Sequence, residues 1–286
     1  LVINVVGDEV PEIAGMKQVI IAPLAEGENL FGWVVAVNHL RSEEFGTIEA
    51  SLLQSVGAIL GIHAGNRNLY RQQSEFLAGV VRAFTSAIDA KDPYTCGHSD
   101  RVARIAVRLA QQVNFEELPL SMLYMAGLLH DIGKIGINDA VLRKPGQLTE
   151  EEYEHIKQHP ELGYRILADI RQLSSALPVV LHHHEQWDGG GYPHGLTQEE
   201  IPLEARIVAV ADAYDAMTSD RPYRKGMPHA KVEAIFRSGA GRQWDPRIIE
   251  AFFASSDDIR DICRRERANL SLDVKQWTCP EGEPSA

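Results

Sequence analysis

The apolar positions change period along the chain. Up to about residue 48, short runs rich in Val, Ile and aromatic residues, "LVINVV", "QVIIAPL" and "FGWVVAVNHL", are separated by Gly, Pro and charged turns. That pattern predicts strands of an antiparallel sheet. A spacing of three and four then takes over, with Leu69, Leu77, Val80, Val81, Phe84 and Ile88 on one stripe. It predicts a helix from about Ser51 to Ala90, stopped by Pro93. Further on, "SDRVARIAVRLAQQV", "SMLYMAGLLHDIGK", "TEEEYEHIKQH", "LGYRIL", "LEARIVAVADAYDAMTS" and "HAKVEAIFRSG" each read as an amphipathic or buried helix. Thr149 with Glu152 forms a capping box at one start. The last thirty or so residues, ending "WTCPEGEPSA", are polar and Pro-containing and are expected to be loosely ordered.

Composition sharpens this picture only in part. With 286 residues, 44% hydrophobic and 24% charged, the chain suits soluble globular structure in two domains. A net charge of -12 argues against a broad surface for nucleic acid polymers or anionic membranes, so any phosphate site must be local. Cys96, Cys263 and Cys279 lack paired spacing, which suggests neither a disulfide framework nor a thiolate zinc site and points to a reducing, cytoplasmic setting. No run of about 18 apolar residues is present, and the opening "LVINVVGDEV" lacks the features of a signal peptide. It reads as a start inside a domain.

The histidines carry the chemistry. Eight of the eleven fall between His98 and His194. His130 precedes Asp131 at the end of an apolar helix, His159 sits at a helix end, His183 and His184 precede Glu185, and Asp212 interrupts the apolar "RIVAVADAYDAM". A carboxylate in such a helix is costly to bury unless it is paired or bound to a cation. A metal over the helix end takes imidazole from His130 and one oxygen from Asp131, whose second oxygen is free to bridge to another metal. Imidazole and carboxylate without thiolate suit Fe, Mn or Zn. Two such metals at about 3.5–4 Å supply hydroxide at neutral pH and clamp an in-line attack on phosphorus.

Three long stretches, "HDIGK" at 130–134, "HHEQWDGGGYP" at 183–193 and "DAYDAMTSDRPYRK" at 212–225, resemble the HD-GYP domain, a subgroup of the HD phosphohydrolases. The resemblance runs from about Phe76 to Phe253, with "DPYTCGHSDRVA" at its start and "QWDPRIIEAF" near its end. It implies a bacterial, metal-dependent phosphodiesterase that opens cyclic di-GMP to pGpG, with GMP on continued hydrolysis, through a metal-bridging hydroxide. Carried over by motif, the metal ligands are His98, His130, Asp131, His159, His183, His184 and Asp212. Asp131 bridges, His130 and Asp212 complete one site, His159 and His183 the other, and His98 and His184 are outlying members. Iron or manganese fits best among divalent ions, with Zn, Ni or Mg as alternatives. The stretch "KDPYT" lacks the Glu that accompanies trinuclear sites, which favours two metals, with Asp92 keeping a third open. Lys134, one helical turn after His130 and facing the same side, is the implied catalytic cation for the phosphoryl oxygens or the leaving 3′-oxygen, with Asp131 as the other catalytic residue. Tyr192, Arg221 and Arg224, with Gly191 and Pro193 shaping the loop, are the implied substrate contacts. His155, His182 and His194 fall outside the ligand set, as a solvated or supporting residue, a residue packed or hydrogen-bonded to backbone, and a surface loop residue.

The first part of the chain, "FGWVVAVNHLRSEEFGTIEASLLQSVGAILGIHAGNRNLY", resembles the C-terminal half of a GAF sensor domain. The expected organisation is mainly α: a partial α+β GAF-like domain at 1–68, a connecting helix at 69–92, a helical HD-type phosphohydrolase domain at 93–255 and a C-terminal helix and partly disordered tail at 256–286. Connectors of this kind pair in parallel dimers, and the stripe of Leu69, Leu77, Val80, Phe84 and Ile88 allows that or packing on the catalytic domain. Diguanylate cyclases are further candidate partners. Two competing readings stand beside the main one: an HD phosphohydrolase for another nucleotide, such as cyclic GMP-AMP or a guanosine polyphosphate, and a catalytically silent cyclic di-GMP receptor.

Overall fold

A computed structural model of the chain describes residues 2–3, 16–39, 44–91, 97–144, 146–219 and 225–264. They divide into one unit up to Phe76 and another from Leu77. The expected order of the C-terminal tail, the helix-stopping Pro93, Asp92 and the phosphate-binding Arg221 and Arg224 lie outside the described residues. Among the described residues no helix is long and apolar enough to cross a membrane.

In the first unit, strands β1 (Val2–Ile3), β2 (Val19–Glu26) and β3 (Asn29–Val37) form a sheet in that order, antiparallel as the β-rich runs between turns predict. Gly27 takes the left-handed φ of 58° that the tight turn between β2 and β3 needs. Helix α1 (Thr47–Lys91) follows. Its residues Gly57, Gly61 and Gly65 recur every fourth position, so they share a face. A Cβ on Gly57 would stand 2.7 Å from the Pro23 carbonyl oxygen, and one on Gly61 would meet the Ala25 backbone within 3 Å. The glycine stripe therefore lets α1 lie directly on β2.

The second unit takes α1 from Leu77 and adds, among the described residues, ten α-helices: α2 (His98–Gln112), α3 (Leu120–Leu129), α4 (Asp139–Leu142), α5 (Glu150–Ile156), α6 (His159–Leu167), α7 (Leu177–His182), α8 (Leu203–Thr218), α9 (His229–Gly239), α10 (Pro246–Ala254) and α11 (Ser256–Arg264). Val102, Ile105, Ala106 and Leu109 of α2 pack with Val208, Ala211 and Tyr214 of α8 and Phe252 of α10 in the larger core. In the smaller core, Val81 and Ile88 of α1, with Leu77 and Phe84 against them, pack on Leu128, Leu129 and Val180. Of the two roles open to the α1 stripe, packing is the one taken from Leu77 onward. Leu69 remains 59% exposed.

The helix expected over "SMLYMAGLLHDIGK" is shorter than its sequence suggests. Helix α3 ends at Leu129, His130 caps it, and Ile132–Gly136 wind into a 3₁₀ turn. Lys134 therefore belongs to the tighter turn and pairs with Asp131, three residues before it, instead of stacking one α-turn beyond His130. The reason lies in Gly133. A Cβ there would sit 1.8 Å from the His159 carbonyl oxygen and 2.5 Å from the Gly163 nitrogen, so the chain must run backbone against backbone with α6. The Thr149–Glu152 capping box forms as expected and starts α5.

This contact separates two glycines of one short turn. Gly133→Ala is expected to destabilise the fold by about 1–3 kcal/mol, the range for overpacking, because only backbone can yield. Gly136→Ala is expected to be close to neutral, since its nearest neighbour is the flexible tip of Leu162 at 2.9 Å. Urea unfolding of the two variants checks the difference, and equal midpoints would contradict the backbone clash.

Candidate metal centre

Each candidate ligand arrives from the end or the inner face of a helix. His98 opens α2, His130 caps α3, Asp131 follows it, His159 opens α6, His183 caps α7 with His184 next, and Asp212 lies within α8. They gather into two groups. Asp131, His159, His183 and His184 each offer a donor atom within 4.8 Å of the others, and so do His98, His130 and Asp212. All the ligands implied by the motifs are thus brought together. His184 joins His159 and His183, and His98 joins His130 and Asp212, which gives each outlying residue a place.

Asp131 connects the groups. Its Oδ1 lies 3.3 Å from His159 Nε2 and its Oδ2 3.3 Å from His130 Nε2. Lys134 Nζ donates to Oδ2 at 2.6 Å. Burial alone would raise the Asp131 carboxyl, but the Lys134 ammonium beside it outweighs this and holds the group well below the usual carboxylate range.

The imidazoles are aimed by their other nitrogen. His130 Nδ1 contacts Gly127 O at 2.8 Å, His159 Nδ1 contacts Ile156 O at 2.9 Å, and His183 Nδ1 contacts Val180 O at 3.0 Å. A carbonyl only accepts, so each Nδ1 carries the proton and each Nε2 is left with a lone pair. Burial disfavours a charged ring at three of the ligands, lowering His159 to about 3, His184 to about 4 and His183 well below its ordinary value. His159 Nε2 and His183 Nε2 consequently face each other at 3.3 Å. His130 Nε2 is buried with no hydrogen-bond partner. Converging lone pairs beside an ionised carboxylate are what a cation stabilises, so these residues fit divalent metal ions.

His98 differs. Burial works against its charge, yet hydrogen bonds to Asp212 and Asp215 prevail and raise it to about 9. Its Nε2 lies 3.1 Å from Asp212 Oδ1 and its Nδ1 2.7 Å from Asp215 Oδ2. A proton there holds the place that a metal would take at Nε2, while Asp215 keeps Nδ1. Asp215 also accepts from Arg101 Nε at 2.6 Å and Nη2 at 2.9 Å. This carboxylate behind the histidine escaped the sequence reading. Its signal was the spacing in "DAYD", three residues on from Asp212 and so on the same helical face.

Beyond the ligands, the Tyr192 ring stacks on His184 at 4.9 Å and 28°, and burial pushes its phenol up, so it stays protonated. Gly191 has no room for a side chain: a Cβ would meet the Gln186 nitrogen at 2.3 Å. Pro193 follows Tyr192 in the half-buried part of this loop. His155 lies outside both groups, its Nε2 accepting from the Asn138 backbone at 3.3 Å. His194 is exposed. His182 is packed, but its Nδ1 faces Glu185 Oε1 at 3.7 Å instead of a backbone carbonyl.

A profile of the HD domain matches residues 82–248, which takes in every residue of this centre. The chain belongs to the HD-domain family. Among curated proteins, the chain is 37% identical over 231 residues to a cyclic di-GMP phosphodiesterase of Thermotoga maritima, covering 80% of this chain and 63% of that protein. It is 46% identical over 204 residues to a cyclic di-GMP phosphodiesterase of Pseudomonas aeruginosa, covering 70% of this chain and 48% of that one. A 3′3′-cGAMP-specific phosphodiesterase of Vibrio cholerae is 39% identical over 176 residues, covering 62% of this chain and 38% of that protein. The chain therefore spans from over a third to under two thirds of these relatives' lengths.

The support behind His98 is testable by itself. Asp215→Asn is expected to weaken divalent-metal affinity by about 10–100-fold, the usual consequence of removing a partner behind a ligating histidine. Competition of Mn²⁺ between the protein and a chromophoric chelator measures it. Unchanged affinity would show that Asp215 does not orient His98 toward metal.

Proposed function

We propose that the chain is the catalytic part of a metal-dependent HD-GYP phosphodiesterase, cleaving cyclic di-GMP to pGpG and, on continued hydrolysis, GMP. The observation that carries this reading is the pair of ligand groups joined by the two oxygens of Asp131. His98, His130, Asp131 and Asp212 would hold one divalent ion, and Asp131, His159, His183 and His184 the other. The absence of thiolate favours Fe or Mn. Bound there, such ions supply Lewis-acid stabilisation of charge at phosphorus and a nucleophile at neutral pH.

The side chains do the rest. Asp131 presents one oxygen to each group and fixes their separation. Lys134, already 2.6 Å from Asp131 Oδ2, places an ammonium where phosphoryl charge develops and holds the proton at Nζ that the leaving 3′-oxygen requires. Tyr192 offers its protonated phenol to a phosphate and its ring to a base, while Gly191 and Pro193 shape the loop that carries it. Arg221 and Arg224 bind phosphate through their bidentate guanidinium forks. The N-terminal unit acts as a GAF-like sensor, and exposed apolar residues of α1 such as Ile59 and Leu69 support pairing of two copies through the connecting helix in the cytoplasm.

A second reading, cyclic GMP-AMP as substrate, is favoured by the similarity to the Vibrio cholerae enzyme named for it. Incubating Mn- or Fe-loaded protein with a panel of cyclic dinucleotides decides between them. Turnover of cyclic di-GMP to pGpG is expected, and none would overturn the main reading. Asp131→Ala is expected to lose both metal and activity. Lys134→Ala is expected to keep its metal while turnover falls by about 10²–10⁴-fold, the range for a positioned proton donor. Metal analysis beside the rates checks both, and an active Asp131→Ala protein would refute the bridging role.

A further inference from the structure

The segment that carries His183 and His184 carries a second set of donors that the metal centre does not use. His182, Glu185 and His194 each offer one donor atom, and these lie within 4.8 Å of one another. Glu185 is 4% exposed. Its two oxygens accept from the backbone N–H groups of His194 at 2.7 Å and Leu196 at 3.2 Å. The carboxylate thus fixes where the chain returns after Pro193 and brings His194 back to the end of α7, with the His182 and His194 rings 5.3 Å apart. His182 Nδ1 is buried with no hydrogen-bond partner, and it stands 3.7 Å from Glu185 Oε1. A buried polar atom left in this state is unfavourable, and a cation shared with the carboxylate would satisfy it.

We propose that His182, Glu185 and His194 form an auxiliary site for Zn²⁺ or a cation of similar chemistry, separate from the Asp131 centre, which staples residues 185–196 to the end of α7. Two imidazoles and a carboxylate are a zinc donor set, with a fourth position for water. Bonds of about 2.0–2.2 Å place tetrahedral ligands roughly 3.4 Å apart. The His182–Glu185 separation is already near this, and the remaining closure falls to His194, whose exposed side chain is free to turn. Glu185 keeps lone pairs for the metal beyond those its backbone donors occupy. His182 and His183 do not compete, because His183 spends Nδ1 on Val179 and Val180 and turns Nε2 to His159. Tyr192 lies inside the stapled loop, so an occupied site holds its ring against His184.

Equilibrium dialysis of the full chain against Zn²⁺, followed by metal analysis, tests the site when performed with and without His194→Ala, both in the native background and in Asp131→Ala. The variant chain is expected to hold one zinc fewer in each background, and amide exchange at His194 and Leu196 is expected to slow on zinc addition only where His194 is present. Equal zinc contents would overturn the site, and unchanged exchange in the zinc-loaded native protein would overturn the staple. The comparison is a difference within each background, so it reads the same whether or not Asp131→Ala empties the main centre. His194 is exposed and its replacement leaves the packing intact, which circular dichroism verifies.

Discussion

A buried carboxylate with its two oxygens turned to different imidazoles is the constraint on which the rest of this structure depends. Asp131 is 2% exposed, and an ionised group at that depth is tolerated only when it is paired or bound to a cation. The fold supplies positive charge from Lys134 and imidazole from α3 and α6, and it does so at the end of a helix whose sequence, "LSMLYMAGLL", is apolar enough to carry the acid into the interior. The close run of Gly133 along α6 then brings His159 to Oδ1. A side chain at Gly133 would separate the two elements and with them the two ligand groups.

Orientation follows from a second constraint. Each central histidine gives Nδ1–H to a helix carbonyl near its own end, and the lone pairs at Nε2 are thereby forced inward. His98 obeys the same rule with a carboxylate, Asp215, in place of the carbonyl, and the difference shows in its basicity: burial lowers His159 and His183, whereas hydrogen bonds to two acids raise His98. The surroundings thus favour protonation at His98, between two acids, and oppose it at His159 and His183, where histidines dominate. Both conditions are relieved by divalent cations, which is why one donor set explains two opposite electrostatic outcomes.

Much of this was legible from residues alone, because metal ligation needs particular side chains at helix ends and the motifs "HDIGK", "HHE" and "ADAYD" supply them in order. The helical period likewise revealed α1, α2 and α8, and the β-rich runs between turns revealed the antiparallel sheet. What was not legible depended on backbone proximity between distant segments. The 3₁₀ turn after α3 arises from the approach of Gly133 to His159, which no local pattern encodes. The glycine stripe of α1 is visible at every fourth residue, but its meaning comes only from the β2 backbone lying on it. Asp215 and Arg101 escaped for a related reason: a residue that supports a ligand looks like an ordinary charged residue until its partner is placed beside it.

The centre also limits where base selection can reside. Cyclic di-GMP and cyclic GMP-AMP share their phosphodiester ring and one guanine and differ in the other base, so groups acting on phosphorus meet the same atoms in both. Discrimination requires a contact to a base edge, where an unpaired donor or acceptor penalises the wrong partner. In the proposed reading Tyr192 is a stacking ring, which accepts either purine because every base offers a π-face. Selection must then come from polar groups presented beside that ring, and the loop that places it is the one fixed by Glu185 through His194 and Leu196. The geometry of this return segment, more than the identity of the metals, is what would let one HD-domain scaffold serve differently named cyclic dinucleotides.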